Sequence, residues 1–201
     1  MVIALHRRGG SAGDSLPMFA HTDTPITILM PQALRPVVPD TRGYRPDATG
    51  YHWYFGDEPW LPEPSTFGES LWSLEGFVLD VRERRPGGKT IVVGAGQGAY
   101  LAVALAAVIP DWIDSVLAVD GGLPTIRGWS PPTERAAPGL AMVFVRDAAR
   151  GAAISPPLAA ALDHFEAIGA STDLWDAPGV SGAPETLARH VSLWLADRAM
   201  P

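Results

Sequence analysis

The stretch IVVGAGQGAYLAVALA, residues 91–106, joins a β-rich apolar run to an apolar helical run through a glycine turn. A strand, a tight glycine turn and a helix serve two kinds of chemistry. In G-x-G-x-x-G/A the glycines let the backbone approach a pyrophosphate at a helix N-terminus. Residues 94–99, GAGQGA, fit that pattern, and Asp120 ends the following strand about where a ribose-binding acid would sit. In G-x-S-x-G a sharp turn lifts a nucleophilic serine clear of the backbone. Gly94 and Gly98 fit the outer glycines of that turn, and Gly96 stands in the nucleophile's place. A glycine there relieves the backbone strain that a serine must bear, but it supplies no nucleophile.

The elements around the turn bear on the choice. Short β-rich runs at 2–6, 25–31, 89–94, 115–120, 140–147 and 171–178 alternate with helical segments at 15–20, 66–85, 98–110, 155–169 and 183–199. Leu71, Leu74, Phe77, Val78 and Val81 share one face at helical spacing. Residues 89–94, KTIVVG, are apolar on both faces, as a buried parallel strand is. Six strands separated by helices imply a mostly parallel sheet of about six strands, covered by helices on both faces. Ligands of such sheets bind at the carboxyl ends of the strands. A long polar and aromatic loop, 40–65, interrupts the pattern. In most dinucleotide folds the glycine turn opens the sheet. Here other elements precede it and little chain follows, which counts against the dinucleotide reading.

Composition narrows the function classes. At 201 residues with no linker, the chain is expected to form one domain, 1–201, with a substantial core. Its net charge of −7 argues against a nucleic-acid surface, which needs Lys and Arg to neutralise phosphates. It has no Cys, hence no disulfide and no thiolate chemistry. No pair of His or carboxylates has metal-ligand spacing, so neither a metal nor another cofactor is expected. No apolar run reaches the ~18 residues of a membrane span, and the N-terminus lacks signal-peptide order. The expectation is a soluble, cytoplasmic protein that binds a small molecule, with room for a homo-oligomer or a protein partner.

Segment by segment, the chain resembles the small carboxylesterases and lysophospholipases of the α/β-hydrolase superfamily. ALHRRGGSAGDSLPMFA (4–20) resembles that family's L-H-G-x-G-G segment. ITILMPQA (26–33) resembles its second strand, and the cluster from Tyr51 to Phe55 its aromatic segment. VVGAGQGAYLAVALA (92–106) resembles its G-F-S-Q-G-G elbow, with Gln97 after the serine position. VLAVDGGLP (116–124) resembles its V-x-x-x-S-G-x-L-P strand and turn, and the segment 143–179 its strand, acid loop, helix and strand. The fold implied is an α/β-hydrolase-like three-layer sandwich with no large cap domain.

The resemblance implies a Ser-His-Asp triad and a backbone oxyanion hole. This chain departs at every triad position. The nucleophile position holds Gly96, the acid position falls on Arg150 with Asp147 three residues earlier, and the histidine position falls on Ser181 or Val180. The oxyanion hole implied by the resemblance survives in the backbone N–H of Gln97 and of Arg7 or Arg8. Donors of that kind stabilise charge on a carbonyl oxygen whatever the reaction. His6 and Asp120 are then the acid–base candidates. Arg7 and Arg146 are candidates for holding an anion. Tyr51, Trp53, Tyr54 and Trp60 are candidates for an aromatic wall over the site. Tyr100 is expected in the core, and His164 and His190 on outer helices at the surface. The function expected is non-hydrolytic chemistry of lyase, isomerase or cyclase type on a small carbonyl-containing or aromatic metabolite. The alternatives are a pseudo-hydrolase that binds a ligand or partner, and a carboxylesterase with relocated catalytic residues.

Overall fold

A computed structural model describes residues 1–38, 49–147, 153–177 and 184–199. Its central sheet is parallel throughout and has the order β2-β1-β5-β6-β7-β8. The strands are β1 (Val2–Leu5), β2 (Ile28–Leu29), β5 (Ile91–Ala95), β6 (Ser115–Val119), β7 (Ala141–Arg146) and β8 (Ser171–Asp176). A separate antiparallel ribbon pairs β3 (Arg35–Pro36) with β4 (Tyr51–His52). The helices are α1 (Pro64–Arg84), α2 (Gln97–Val108), α3 (Pro156–Ala167) and α4 (Pro184–Ala199). A 3-10 helix runs over Ala12–Phe19, and a shorter one over Pro110–Trp112.

Strand alternation builds two cores. Ile3, Leu5, Val92, Val116, Ala118, Met142 and Phe144 face α1, α2 and α3. Their neighbours Val2, Ala4, Ile91, Val93, Leu117, Val143 and Val145 face α4 and the first 3-10 helix. Successive side chains of a strand point to opposite faces, so runs apolar at every position need a cover on both sides. The result is a three-layer α/β/α sandwich without a large cap. Helix α2 is buried from Gln97 through Ala107, which explains why its sequence carries no polar stripe. Helix α1 starts at Pro64 behind an N-cap, Glu63. The Glu63 carboxylate accepts from the backbone N–H of Ser65 (3.0 Å) and Thr66 (2.8 Å).

Three elements differ from expectation. The second strand pairs only at Ile28–Leu29, because it lies at the sheet edge between Pro25 and Pro31, which cannot donate to a ladder. The helical segment 15–20 is a longer 3-10 helix with Pro17 inside it. The loop 40–65 contains β4. That strand is pinned to the turn after β1 by Gly9 N–H to Tyr51 O and Tyr51 N–H to Gly10 O, both 2.9 Å.

Candidate functional site

Sheet register brings the ends of the middle strands into a row. Leu5 is level with Gly94, Ala95 with Val119, and Val119 with Val145. The residues next along the chain are His6 and Arg7, Gly96, Asp120, and Arg146 with Asp147. All of them line a cavity of about 1060 Å³ at the carboxyl ends of the strands. Asp14, Ser15, Trp60, Tyr100, Thr125 and Ser155 add to its polar lining.

The glycine turn has the geometry of a sharp strand-to-helix elbow. A Cβ on Gly94 would lie 2.3 Å from the Gly98 carbonyl oxygen, and one on Gly98 would lie 2.4 Å from that of Leu5. Neither position can carry a side chain without moving backbone. Gly96 has φ +52° and ψ −119°, at the N-cap of α2. A Cβ there would meet nothing nearer than the Arg7 Cβ at 3.4 Å. The space beside Gly96 is therefore bounded by Arg7. Among the described residues, neither the Gln97 nor the Arg7 backbone N–H has a hydrogen-bond partner. Gln97 is the first residue of α2, where helix geometry offers its N–H no acceptor.

His6 is buried and has both ring nitrogens engaged. Nδ1 bonds the Arg7 carbonyl at 2.8 Å, so it carries the proton. Nε2 then accepts from Gln32 Nε2 (3.0 Å) and from the Ala33 N–H (3.2 Å). Burial pushes its pKa below the ordinary imidazole value, and the bond to the Arg7 carbonyl opposes this only in part. This arrangement makes His6 a neutral brace of the first loop rather than a group with a proton to exchange. All five histidines of the sequence are among the described residues, and His6 alone lines the cavity; His190 is exposed as expected, whereas His164 is buried, its ring edge-on to Phe165.

Asp120 is the single non-glycine among the described residues with a left-handed backbone, φ +51°. Asp tolerates that region better than most residues. The conformation is held by its N–H bond to the Val145 carbonyl, 2.9 Å. Asp147 is buried at the end of β7. Arg146 makes a bidentate pair with Asp176 across β7 and β8 (Nη2–Oδ2 3.2 Å). That pair raises the Arg146 pKa and lowers that of Asp176. Arg146 borders the cavity, but it grips an internal partner.

The expected aromatic wall is divided. Trp60 lines the cavity, whereas Tyr51, Trp53 and Tyr54 do not. The Trp53 indole N–H donates to the His6 carbonyl (2.8 Å), and its ring lies 5.0 Å from the His6 ring. The Tyr54 hydroxyl donates to the Pro59 carbonyl (2.6 Å) and the residue is fully buried. Tyr51 packs against the α1–α3 core. The Gln97 side chain fixes this segment, accepting from Trp53 N–H (3.1 Å) and donating to the Tyr54 carbonyl (2.9 Å). These aromatics are held inward because their polar atoms find buried backbone partners. Arg150 and Ser181 lie outside the described residues.

Tyr100 is the cavity residue that sequence reasoning left in the core. It is buried, yet it borders the cavity from the first turn of α2. Its position four residues after Gly96, one helical turn on, is the signal that would have found it. Among the described residues, no three of His, Cys, Asp and Glu cluster as a metal site needs. No helix there is long and apolar enough to cross a membrane.

No known family's sequence pattern matches the chain, and no curated protein matches it. Solved structures do. SOBER1 of Arabidopsis thaliana is 17% identical with a TM-score of 0.74, covering 99% of this chain and 98% of that one. A carboxylesterase from Mesorhizobium loti is 18% identical with a TM-score of 0.75, covering 97% and 87%. The Bacillus cereus carboxylesterase is 14% identical with a TM-score of 0.70, covering 100% and 88%. The chain has an α/β-hydrolase-like fold, that of the carboxylesterase structures, over nearly its whole length.

Proposed function

We propose that this protein is a non-hydrolytic enzyme built on a carboxylesterase-like fold. It acts by proton transfer on a small carbonyl-containing metabolite, in the manner of an isomerase, lyase or cyclase. The observation that carries the proposal is the pairing, across one cavity, of a glycine elbow with a carboxylate. Gly96 leaves the nucleophile's place open, and Asp120 lies on the adjoining strand end. The two N–H groups of Arg7 and Gln97 would hold a developing oxyanion. Asp120 would take the proton whose loss creates it. The state of His6 supports the same conclusion. A serine nucleophile needs a base during attack, and the imidazole at this cavity has no free nitrogen to serve.

The test uses the β,γ-unsaturated cyclohexenone in D2O, with exchange of the α-protons followed by NMR. The wild type is expected to accelerate exchange. Asp120→Asn is expected to lose it by ~10²-fold or more, the usual worth of a positioned base. No labelling by a fluorophosphonate and no turnover of activated aryl esters are expected. Stoichiometric labelling of Ser15 or Ser155 would instead establish a relocated esterase. Saturable binding of the ketone without exchange would establish a non-catalytic pseudo-hydrolase.

A further inference from the structure

Within that cavity a second group is placed to handle a proton. The backbone N–H of Tyr100 donates to the Gly96 carbonyl at 3.2 Å, so its residue rises directly from the elbow. The Asp120 turn presses on the same part of α2. A Cβ on Gly121 would lie 2.4 Å from the Ala99 Cβ, so only glycine lets that turn come so close. Gly96, Tyr100 and Asp120 all face the one cavity. We infer that Tyr100 is the proton donor of this site, working with Asp120 as base. The site would therefore take substrates that must lose a proton at one atom and gain one at another. The inference rests on the non-hydrolytic reading above.

At neutral pH the phenol carries the proton that this step needs. Burial, then the carboxylates of Asp120 and Glu58, push its pKa up to about 12, so it stays protonated at neutral pH. A neutral hydroxyl donates where an ionised one cannot.

The steps balance for an enone. The Asp120 carboxylate takes a proton from the carbon between the carbonyl and the alkene. The C–H electron pair becomes a new carbon–carbon double bond, and the carbonyl π pair moves onto oxygen at the Arg7 and Gln97 N–H groups. The oxygen pair then returns to re-form the carbonyl while the far carbon takes the Tyr100 hydroxyl proton. The phenolate so formed recovers a proton from the Asp120 carboxylic acid. The double bond has moved into conjugation, both side chains are restored and nothing is consumed.

The experiment separates the two halves on one probe, the β,γ-unsaturated cyclohexenone. α-Proton exchange reads abstraction, and the absorbance of the conjugated isomer reads delivery. Asp120→Asn is expected to lose both. Tyr100→Phe is expected to keep exchange while isomerisation falls ~10²-fold. A purely structural role would move the two readouts together. If Tyr100→Phe isomerises as fast as wild type, the donor role is overturned while the non-hydrolytic reading stands. If it loses exchange and isomerisation equally, the donor role is also overturned. If the wild type shows neither reaction, both readings fall. Thermal melts of Tyr100→Phe check that the fold is intact, the change being the loss of one oxygen.

Discussion

At the scale of single residues, Gly96 shapes the elbow and His6 braces the loop beside it. The Cβ space beside Gly96 is open enough for a serine, since its nearest neighbour would be the Arg7 Cβ at 3.4 Å. The backbone is less forgiving. At φ +52° and ψ −119° any side chain is strained, at a cost of about 1–3 kcal/mol. Gly96→Ser is therefore expected to fold, to melt a few degrees lower, and to remain inactive toward aryl esters. Thermal melts and an ester assay check this. Robust turnover would mean that a base reaches position 96 from somewhere other than His6. Gly96 was legible from spacing alone, because the elbow pattern is local. The role of His6 was not, since its Nε2 partners come from Gln32 and Ala33, far along the chain.

Among the elements, α1 and its cap show local chemistry holding a long helix in place. Hydrogen bonds from Ser65 and Thr66 hold the Glu63 carboxyl at about 2, against an ordinary value of 4.5. A carboxyl whose pKa is depressed by folding binds fewer protons folded than unfolded. Its stabilisation is thus fully present above pH 4.5 and is lost as pH falls toward 2. Glu63→Gln is expected to melt lower than wild type at neutral pH and to converge on it across that window. Parallel melting curves from neutral pH down to 2.5 would overturn the cap's contribution. The helices and the strands β5 to β8 were legible because burial on one or both faces writes a period into the sequence. The ribbon of β3 and β4 was not, because two-residue strands carry no period. What forms it is pairing with the turn after β1.

For the molecule as a whole, the strand order sets which loops can meet. The glycine turn follows β5, the third strand in the sheet along the chain, flanked by β1 and β6. A dinucleotide cradle would open the sheet instead, and Gly98 lies against the Leu5 carbonyl rather than beneath an open groove. NAD and FAD are accordingly expected to leave the melting temperature unchanged at millimolar concentration. Any ligand of the native state alone must raise it. A clear rise with either would return the turn to phosphate binding.

The sequence by itself determined the alternation of strands and helices and the glycine elbow with Gly96 at its centre. These are properties of neighbouring residues, and local sterics and periodic burial express them directly. Only the tertiary structure decided which polar atoms are already taken. It turned Trp53 and Tyr54 inward onto His6 and Pro59, paired Arg146 with Asp176, and set Tyr100 and Asp120 at one cavity with Gly96. The physical reason is that a buried donor or acceptor must find a partner, and here those partners lie on segments that only sheet register brings together.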